Sequence, residues 1–176
     1  QPLIELRLHL LFPHPLQPDH GYWLDVSSAQ GADGRPLGPA LAAIPVSYHP
    51  ERISGSIQVN QVGYASHAQK FAYLGNWLGT LGPLPLDASQ FEVIAVDTAK
   101  PVFTGEARLR ARADPWSGND VYEADFSALT RPGRYRLRVP GLGISHDFVI
   151  GPEVYEPVYR TLMRLFYASR NGTPIL

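Results

Sequence analysis

Residues 56–79 read SIQVNQVGYASHAQKFAYLGNWLG, and the parsing of this stretch decides the fold. Ile57 and Val59 flank Gln58 as in a half-buried strand. The pattern breaks over Asn60-Gln61-Val62-Gly63-Tyr64, and a second apolar run begins at Phe71. Asn and Gly are ordinary turn residues: Asn bonds its own backbone two residues on, and Gly reaches conformations closed to other side chains. A turn that also holds Gln61 and Tyr64 is more elaborate than a reversal requires. We expect Gly63 to take such a conformation and Asn60 and Gln61 to satisfy backbone groups freed by the break. Tyr64, with an apolar ring and a hydroxyl, is expected to bridge two surfaces.

Beyond this turn the two-residue period persists. FEVIAVD (91–97) and PVFTG (101–105) read as a hairpin about Thr98–Lys100. ARLRARAD sets Ala107, Leu109 and Ala111 against Arg108, Arg110 and Arg112. VYEADFS (121–127) leads to the turn LTRPG, and RYRLRV sets Tyr135, Leu137 and Val139 against Arg134, Arg136 and Arg138. ISHDFVI (144–150) reads as the last strand. Short strands between Gly, Pro, Asn and Asp turns, with no helices between them, define an antiparallel β-sandwich and exclude a βαβ architecture. Leu129-x-x-Pro132-Gly133-x-Tyr135 has the form of a tyrosine corner, with the hydroxyl bonded to backbone upstream. One helix follows. Pro157 suits its first position, Val158, Leu162, Leu165, Phe166 and Ser169 keep helical spacing, and Asn171-Gly172 supplies a stop. Its apolar stripe needs a partner surface.

The 50 or so residues before the turn read as β structure without a complete core: strands at 3–12, at YWLDV (22–26) and at AAIPVSYHP (42–50), joined by Pro- and Gly-rich loops. With 176 residues, 44% hydrophobic and 18% charged, the whole is globular rather than disordered. A net charge of -1 offers no attraction to nucleic acid or an anionic membrane. No apolar run approaches the roughly 20 residues of a membrane helix. The lack of cysteine excludes disulfides, thiolate metal sites and thiol nucleophiles. The chain opens on Gln1 rather than Met, which weighs toward an exported protein with a leader or a larger upstream part removed.

The order of motifs resembles the N-terminal immunoglobulin-like module of glycoside hydrolase family 9, cellulases with an (α/α)6-barrel catalytic domain. The resemblance covers residues 56–172. It rests on Asn60-Gln61-Val62-Gly63-Tyr64, Lys70-Phe71-Ala72, Val102-Phe103-Thr104-Gly105, Ser117-Gly118, Asp125-Phe126-Ser127, Pro132-Gly133-Arg134-Tyr135, and a close at Gly143, Ser145, Phe148 and Ile150. Phe166-Tyr167, Arg170 and Gly172 are similar to the first helix of the catalytic barrel.

The resemblance implies an all-β, immunoglobulin-like sandwich over 53–151. Residues 1–52 become a partial β segment or the end of an upstream β module, and 152–176 a helix beginning a barrel that is itself absent. It also implies a non-catalytic module of a secreted or periplasmic β-glucan hydrolase that docks on and stabilises the barrel. The docking residues would be Asn60, Gln61, Gly63, Tyr64, Val158, Leu162, Phe166 and Arg170, with Gly133 and Tyr135 as architecture. The family's Asp-Ala-Gly-Asp segment and its acid Glu have no counterpart here. Gly31-Ala32-Asp33-Gly34 is only faintly similar and lies on the wrong side.

Two other classes compete, a polysaccharide-binding sandwich and an adhesion domain. Sugar-binding faces use Trp and Tyr as flat apolar platforms with polar rims. Tyr22, Trp23, Trp77, Trp116 and Tyr122 are the candidates, with Trp77, Trp116 and Tyr122 the selected carbohydrate-binding set. The same tryptophans read more readily as interface anchors, or as lids over the core, than as sugar platforms. Inverting glycoside hydrolysis needs two carboxyl groups about 6.5–9.5 Å apart, but Asp87, Asp97, Asp114, Asp120 and Asp125 fall in turns and strand ends. No catalytic residue is therefore assigned. His14, Asp19 and His20 share a loop whose prolines restrict convergence, and His67 and His146 are isolated, so no metal is assigned. With no phosphate loop and no nucleophile turn, no cofactor is expected. The arginine rows read as a solvated face, or as an interface rich in carboxylate pairs.

Overall fold

The computed structural model describes residues 10, 12–25, 30, 34–35, 43–86 and 90–170. The strand expected over 3–12 and the stop at Asn171-Gly172 lie outside them, apart from Leu10 and Phe12, neither of which is in a strand. By their contacts the described residues fall into two units, 10–52 and 53–170.

In the first unit, β1 (Gly21–Leu24) pairs antiparallel with β2 (Ile44–Ser47), Tyr22 opposite Val46 and Trp23 opposite Pro45. None of its described residues is buried. A two-stranded ribbon leaves one face of each strand without cover, and the described residues of this unit form no core of their own.

The second unit is a sandwich. One sheet contains β3 (Ile57–Gln58), β4 (Phe71–Leu74), β8 (Val121–Asp125) and β7 (Arg108–Ala111), in that order. The other runs β10 (Gly143–Ile144), β9 (Gly133–Val139), β5 (Gln90–Ala95) and β6 (Lys100–Glu106), with β11 (Phe148–Ile150) also on β9. Every strand pair in the two sheets is antiparallel. The chain crosses between sheets at Ala107, which is buried.

The core is the set of alternate residues that the two-residue period turns inward. Ile57, Ala72, Leu74, Ala124 and Phe126 come from one sheet and its margin; Phe91, Val93, Tyr135, Leu137, Val139, Phe148 and Ile150 come from the other. Phe126 and Phe148 lie 5.4 Å apart between their ring centroids, with Tyr64 edge-on to both at 5.1 and 5.4 Å. Such edge-to-face clusters add about 0.5–1.5 kcal/mol per pair beyond buried area.

ISHDFVI is not one strand. It divides into β10 and β11 because Ser145 interrupts the ladder with its side chain. Its Oγ accepts from Leu137 N at 2.9 Å and donates to His146 O at 2.6 Å, so the backbone leaves the sheet at 145–147. The chain then passes through turns into α1 (Glu156–Ala168), none of whose residues is buried. The helix begins at Glu156, one residue before the expected Pro157; Glu156 stands in the first turn, where the helix dipole favours an acid, and pairs with Arg160. A short 3-10 turn at Gly79–Leu81 sits in the loop after β4.

Candidate functional site

The Asn60–Tyr64 turn satisfies itself and ties down the segment before α1. Val62 N donates to Asn60 Oδ1 at 3.1 Å, Asn60 Nδ2 donates to Gly63 O at 2.8 Å, and Gly63 N donates to Asn60 O at 3.0 Å. Gly63 has φ +114°, and a Cβ there would collide with Val154 Cγ2 and stand 2.5 Å from Val149 O. Tyr64 N donates to Val149 O at 2.8 Å, and Gly151 N donates to Tyr64 O at 3.0 Å. The Tyr155 hydroxyl completes the knot by donating to Gly63 O at 3.0 Å.

Tyr64 was expected to bridge two surfaces, and the structure turns it inward. Only 6% of it is exposed, and its hydroxyl accepts from Asn60 N at 2.9 Å and donates to Phe71 O at 2.7 Å. Both capacities are spent inside the sandwich, so Tyr64 presents nothing to a docking partner. Burial pushes its hydroxyl above the ordinary 10.0, partly offset by the Asn60 N–H. Asn60 and Gly63 likewise face Tyr155 and Val154. Asn60, Gln61 and Val62 are the exposed residues of the turn.

Tyr135 donates to Arg131 O at 3.0 Å, and burial raises its hydroxyl above 10.0. A Cβ on Gly133 would stand 2.9 Å from that hydroxyl, so the ring needs a glycine beneath it. Lys70 is fully buried. Its Nζ donates to Ala68 O at 2.7 Å and Ser66 O at 2.9 Å, which closes the 65–69 loop over its own ammonium. Desolvation lowers its pKa below 10.5, against the opposing charge of Asp125.

The apolar side of α1 is open. Val158, Leu162, Leu165 and Phe166 are all exposed, Phe166 to 66%. Arg170, at the end of the same segment, lies over the Tyr167 ring at 5.9 Å.

The aromatic candidates separate. Tyr122 pairs with Leu74 and turns inward against the core, so it is not a platform. Trp116 is 94% exposed at the tip of a turn held by Asp114. Asp114 Oδ2 accepts from Ser117 Oγ at 2.8 Å, Ser117 N at 2.9 Å and Trp116 N at 3.3 Å, and these bonds, Ser117 Oγ first, hold the carboxyl below 3.8. Trp77 is half-exposed, its ring against Gly118 of the same turn. A groove of about 150 Å³ lies alongside, lined by Gln58, Tyr73, Gly75, Ser117 and Asn119 among others. Sequence reading passed over Tyr73. Its parity was the available signal: Ala72 and Leu74 point inward, so Tyr73 between them points out.

Five of the six arginines of the two rows meet carboxylates inside the module. Arg134 and Arg136 both reach Asp147 at 3.0 Å, Arg138 chelates Glu92 across the β5–β9 pair, Arg110 meets Glu123, and Arg112 stands 3.7 Å from Asp120. Exposed pairs of this kind contribute about 0–1 kcal/mol each. In the first unit, Asp19 pairs with His49 at 3.4 Å and His20 Nδ1 lies 2.9 Å from Pro18 O. Trp23 is exposed, and Tyr22 accepts from Gln17 N at 2.8 Å.

Fold and surfaces together describe an immunoglobulin-like sandwich module in which Glu92, Asp120, Glu123 and Asp147 are arginine partners. The model of one family, the cellulase N-terminal ig-like domain, matches residues 53–143, and the chain belongs to that family. It is 33% identical over 120 residues to Endoglucanase D of Acetivibrio thermocellus, covering 68% of this chain and 17% of that protein. To the xyloglucan-specific endo-beta-1,4-glucanase BoGH9A of Bacteroides ovatus it is 28% identical over 120 residues, covering 68% and 18%. Among solved structures, a metagenome-derived glycoside hydrolase family 9 endoglucanase superposes with a TM-score of 0.58 at 37% identity, covering 68% of this chain and 22% of that one. The chain thus spans about a fifth of the length of the relatives it matches.

Proposed function

We propose that this chain is the non-catalytic immunoglobulin-like module of an exported β-glucan-degrading enzyme of family 9, and that it docks on and stabilises a catalytic barrel through α1. The observation that carries this reading is the helix. Its apolar side stands open, and Val158, Leu162, Leu165 and Phe166 together present roughly 400–500 Å² of surface, worth about 10 kcal/mol as an upper bound. A monomeric domain rarely keeps such a patch in water. Its own sandwich leaves the helix unburied, so the cover comes from another surface. The names of the relatives reported above, endoglucanases and a xyloglucan-specific endo-beta-1,4-glucanase, supply the chemistry of the partner. Export fits a polymeric substrate too large to enter a cell.

Light scattering tests the docking. The 176-residue chain is expected to self-associate through the open helix, and a chain ending at Gly151 to be monomeric. Leu162→Asp with Phe166→Asp should reproduce the effect of truncation. A full-length chain that stays monomeric with its helix mobile in solution overturns the reading. A second reading, contact with the glucan itself, is favoured by the almost complete exposure of Trp116.

A further inference from the structure

We propose that the groove beside Trp77 and Trp116 is a binding platform for a neutral β-linked glucan chain. The choice of glucan rests on the reading of this chain as a module of a β-glucan hydrolase; the site itself rests on four observations.

Trp116 is displayed rather than merely exposed. Its turn is fixed by three bonds to Asp114 Oδ2, by Gly118 N donating to Asp114 O at 2.7 Å, and by Ala113 N donating to Asp120 Oδ1 at 2.8 Å. These bonds fix the backbone that carries the indole, so that only its own side-chain rotamer is left to be ordered when a ligand covers it. Trp77 backs onto Gly118 of that turn, and Ser117 of the same turn lines the groove together with Tyr73, whose ring face carries the Arg110 guanidinium at 5.9 Å.

The groove's own lining, among the described residues, is neutral. Its lining carries amide and hydroxyl groups, from Gln58, Ser117, Asn119 and Tyr73, and no ionised side chain. The hollow beside β7 and β8 is lined by Glu106, Arg108, Glu123 and Asp125, and the one at the β9 start by Asp97, Arg131 and Arg134 among others. An uncharged polar rim beside aromatic faces matches the hydroxyl edges and apolar faces of a pyranose. A charged peptide or a nucleic acid would find its complement in the other hollows. At about 150 Å³ the groove is smaller than the roughly 300–1,000 Å³ of enclosed small-molecule pockets. A ligand would therefore lie largely on the aromatic faces, as an extended chain can.

Affinity electrophoresis of the 176-residue chain tests this, in gels containing soluble mixed-linkage β-glucan, xyloglucan or, as the control, α-linked dextran. Retardation by a β-glucan but not by dextran is expected. Trp116→Ala, which removes a side chain that supports no packing, should weaken it tenfold or more while leaving the urea midpoint unchanged. Gln58→Ala should weaken it less, and Trp23→Ala, in the other unit, should leave it unchanged. No retardation in either β-glucan overturns the proposal. So does retardation that survives Trp116→Ala or is abolished by Trp23→Ala. Helix-dependent self-association without glucan retardation would sink this inference alone, and the reverse result would sink the docking alone.

Discussion

The Tyr155 hydroxyl donates to the carbonyl of Gly63 at 3.0 Å, joining the last residue before α1 to a turn 92 positions earlier. The bond sits against a glycine that no other residue can replace without strain. Gly63→Ala meets both a backbone conformation closed to side chains, at φ +114°, and the Val154 methyl. A loss of about 3 kcal/mol is expected in urea unfolding of the whole chain. Tyr155→Phe, half-exposed, should cost only about 0.5–1.5 kcal/mol. Because the two residues touch, their double variant should lose less than the sum. Additive losses would show that the turn and the helix lead-in are not one structural unit.

Tyr64→Phe keeps the ring in the Phe126–Phe148 cluster and deletes only the hydroxyl. Phe71 O then loses its donor, and Asn60 N loses its acceptor. Leaving these part-buried backbone groups unpaired costs up to about 1–3 kcal/mol. A urea midpoint equal to that of the parent chain would contradict the inward role given to this residue.

Alkaline titration should show two opposed effects. Tyr64 and Tyr135 are raised above 10.0 by burial, so above that pH the folded chain keeps protons that the unfolded chain has shed. Their stabilisation is complete below the unfolded value and is lost as pH rises through the raised ones. Lys70, lowered from 10.5 by burial, acts in the other sense. Between its lowered value and 10.5 the unfolded chain holds the extra proton, and stability rises with pH. Urea midpoints of the parent should therefore hold or rise before they fall, whereas Lys70→Met should show the fall alone. Parallel pH profiles for the two would refute a depressed Lys70.

The turn that carries Trp116 should loosen in acid. Hydrogen bonds from Ser117 and Trp116 hold the Asp114 carboxyl below 3.8, so the turn has its full support above that pH and loses it as pH falls through the lowered value. Amide-exchange protection at Ser117 N, relative to the intrinsic rate, should drop over that range. Asp114→Ala should show the same loss at neutral pH. Protection unchanged in the variant would mean that the backbone bonds alone hold the turn.

The sandwich was legible in sequence because burial on one side of a sheet writes itself as parity. Tyr135, Leu137 and Val139 turn inward while Arg134, Arg136 and Arg138 turn out, as their alternation implies. Parity also marked Tyr73 as outward and Tyr122 as inward, though residue type alone favoured Tyr122 as a platform. What was hidden depended on partners distant in the chain. Nothing near Ser145 announced that its hydroxyl would meet Leu137 and split a strand. Nothing near Tyr64 announced that Phe126 and Phe148 would enclose its ring. The carboxylate partners of the arginine rows, Asp147, Glu92, Glu123 and Asp120, were likewise hidden.

The knot at Gly63 has a mechanical consequence. A helix of 13 residues is about 20 Å long, and α1 is anchored at its start while none of its own residues is buried. It is a pointer mounted at one end. A tilt of about 10° at the mount would sweep the far tip by roughly 3–4 Å, on the rise of 1.5 Å per residue. The bearing of whatever continues from Ala168 is thus set by a few atoms: a glycine without a Cβ and an asparagine amide in a turn more than a hundred residues earlier, and the Tyr155 hydroxyl that meets them.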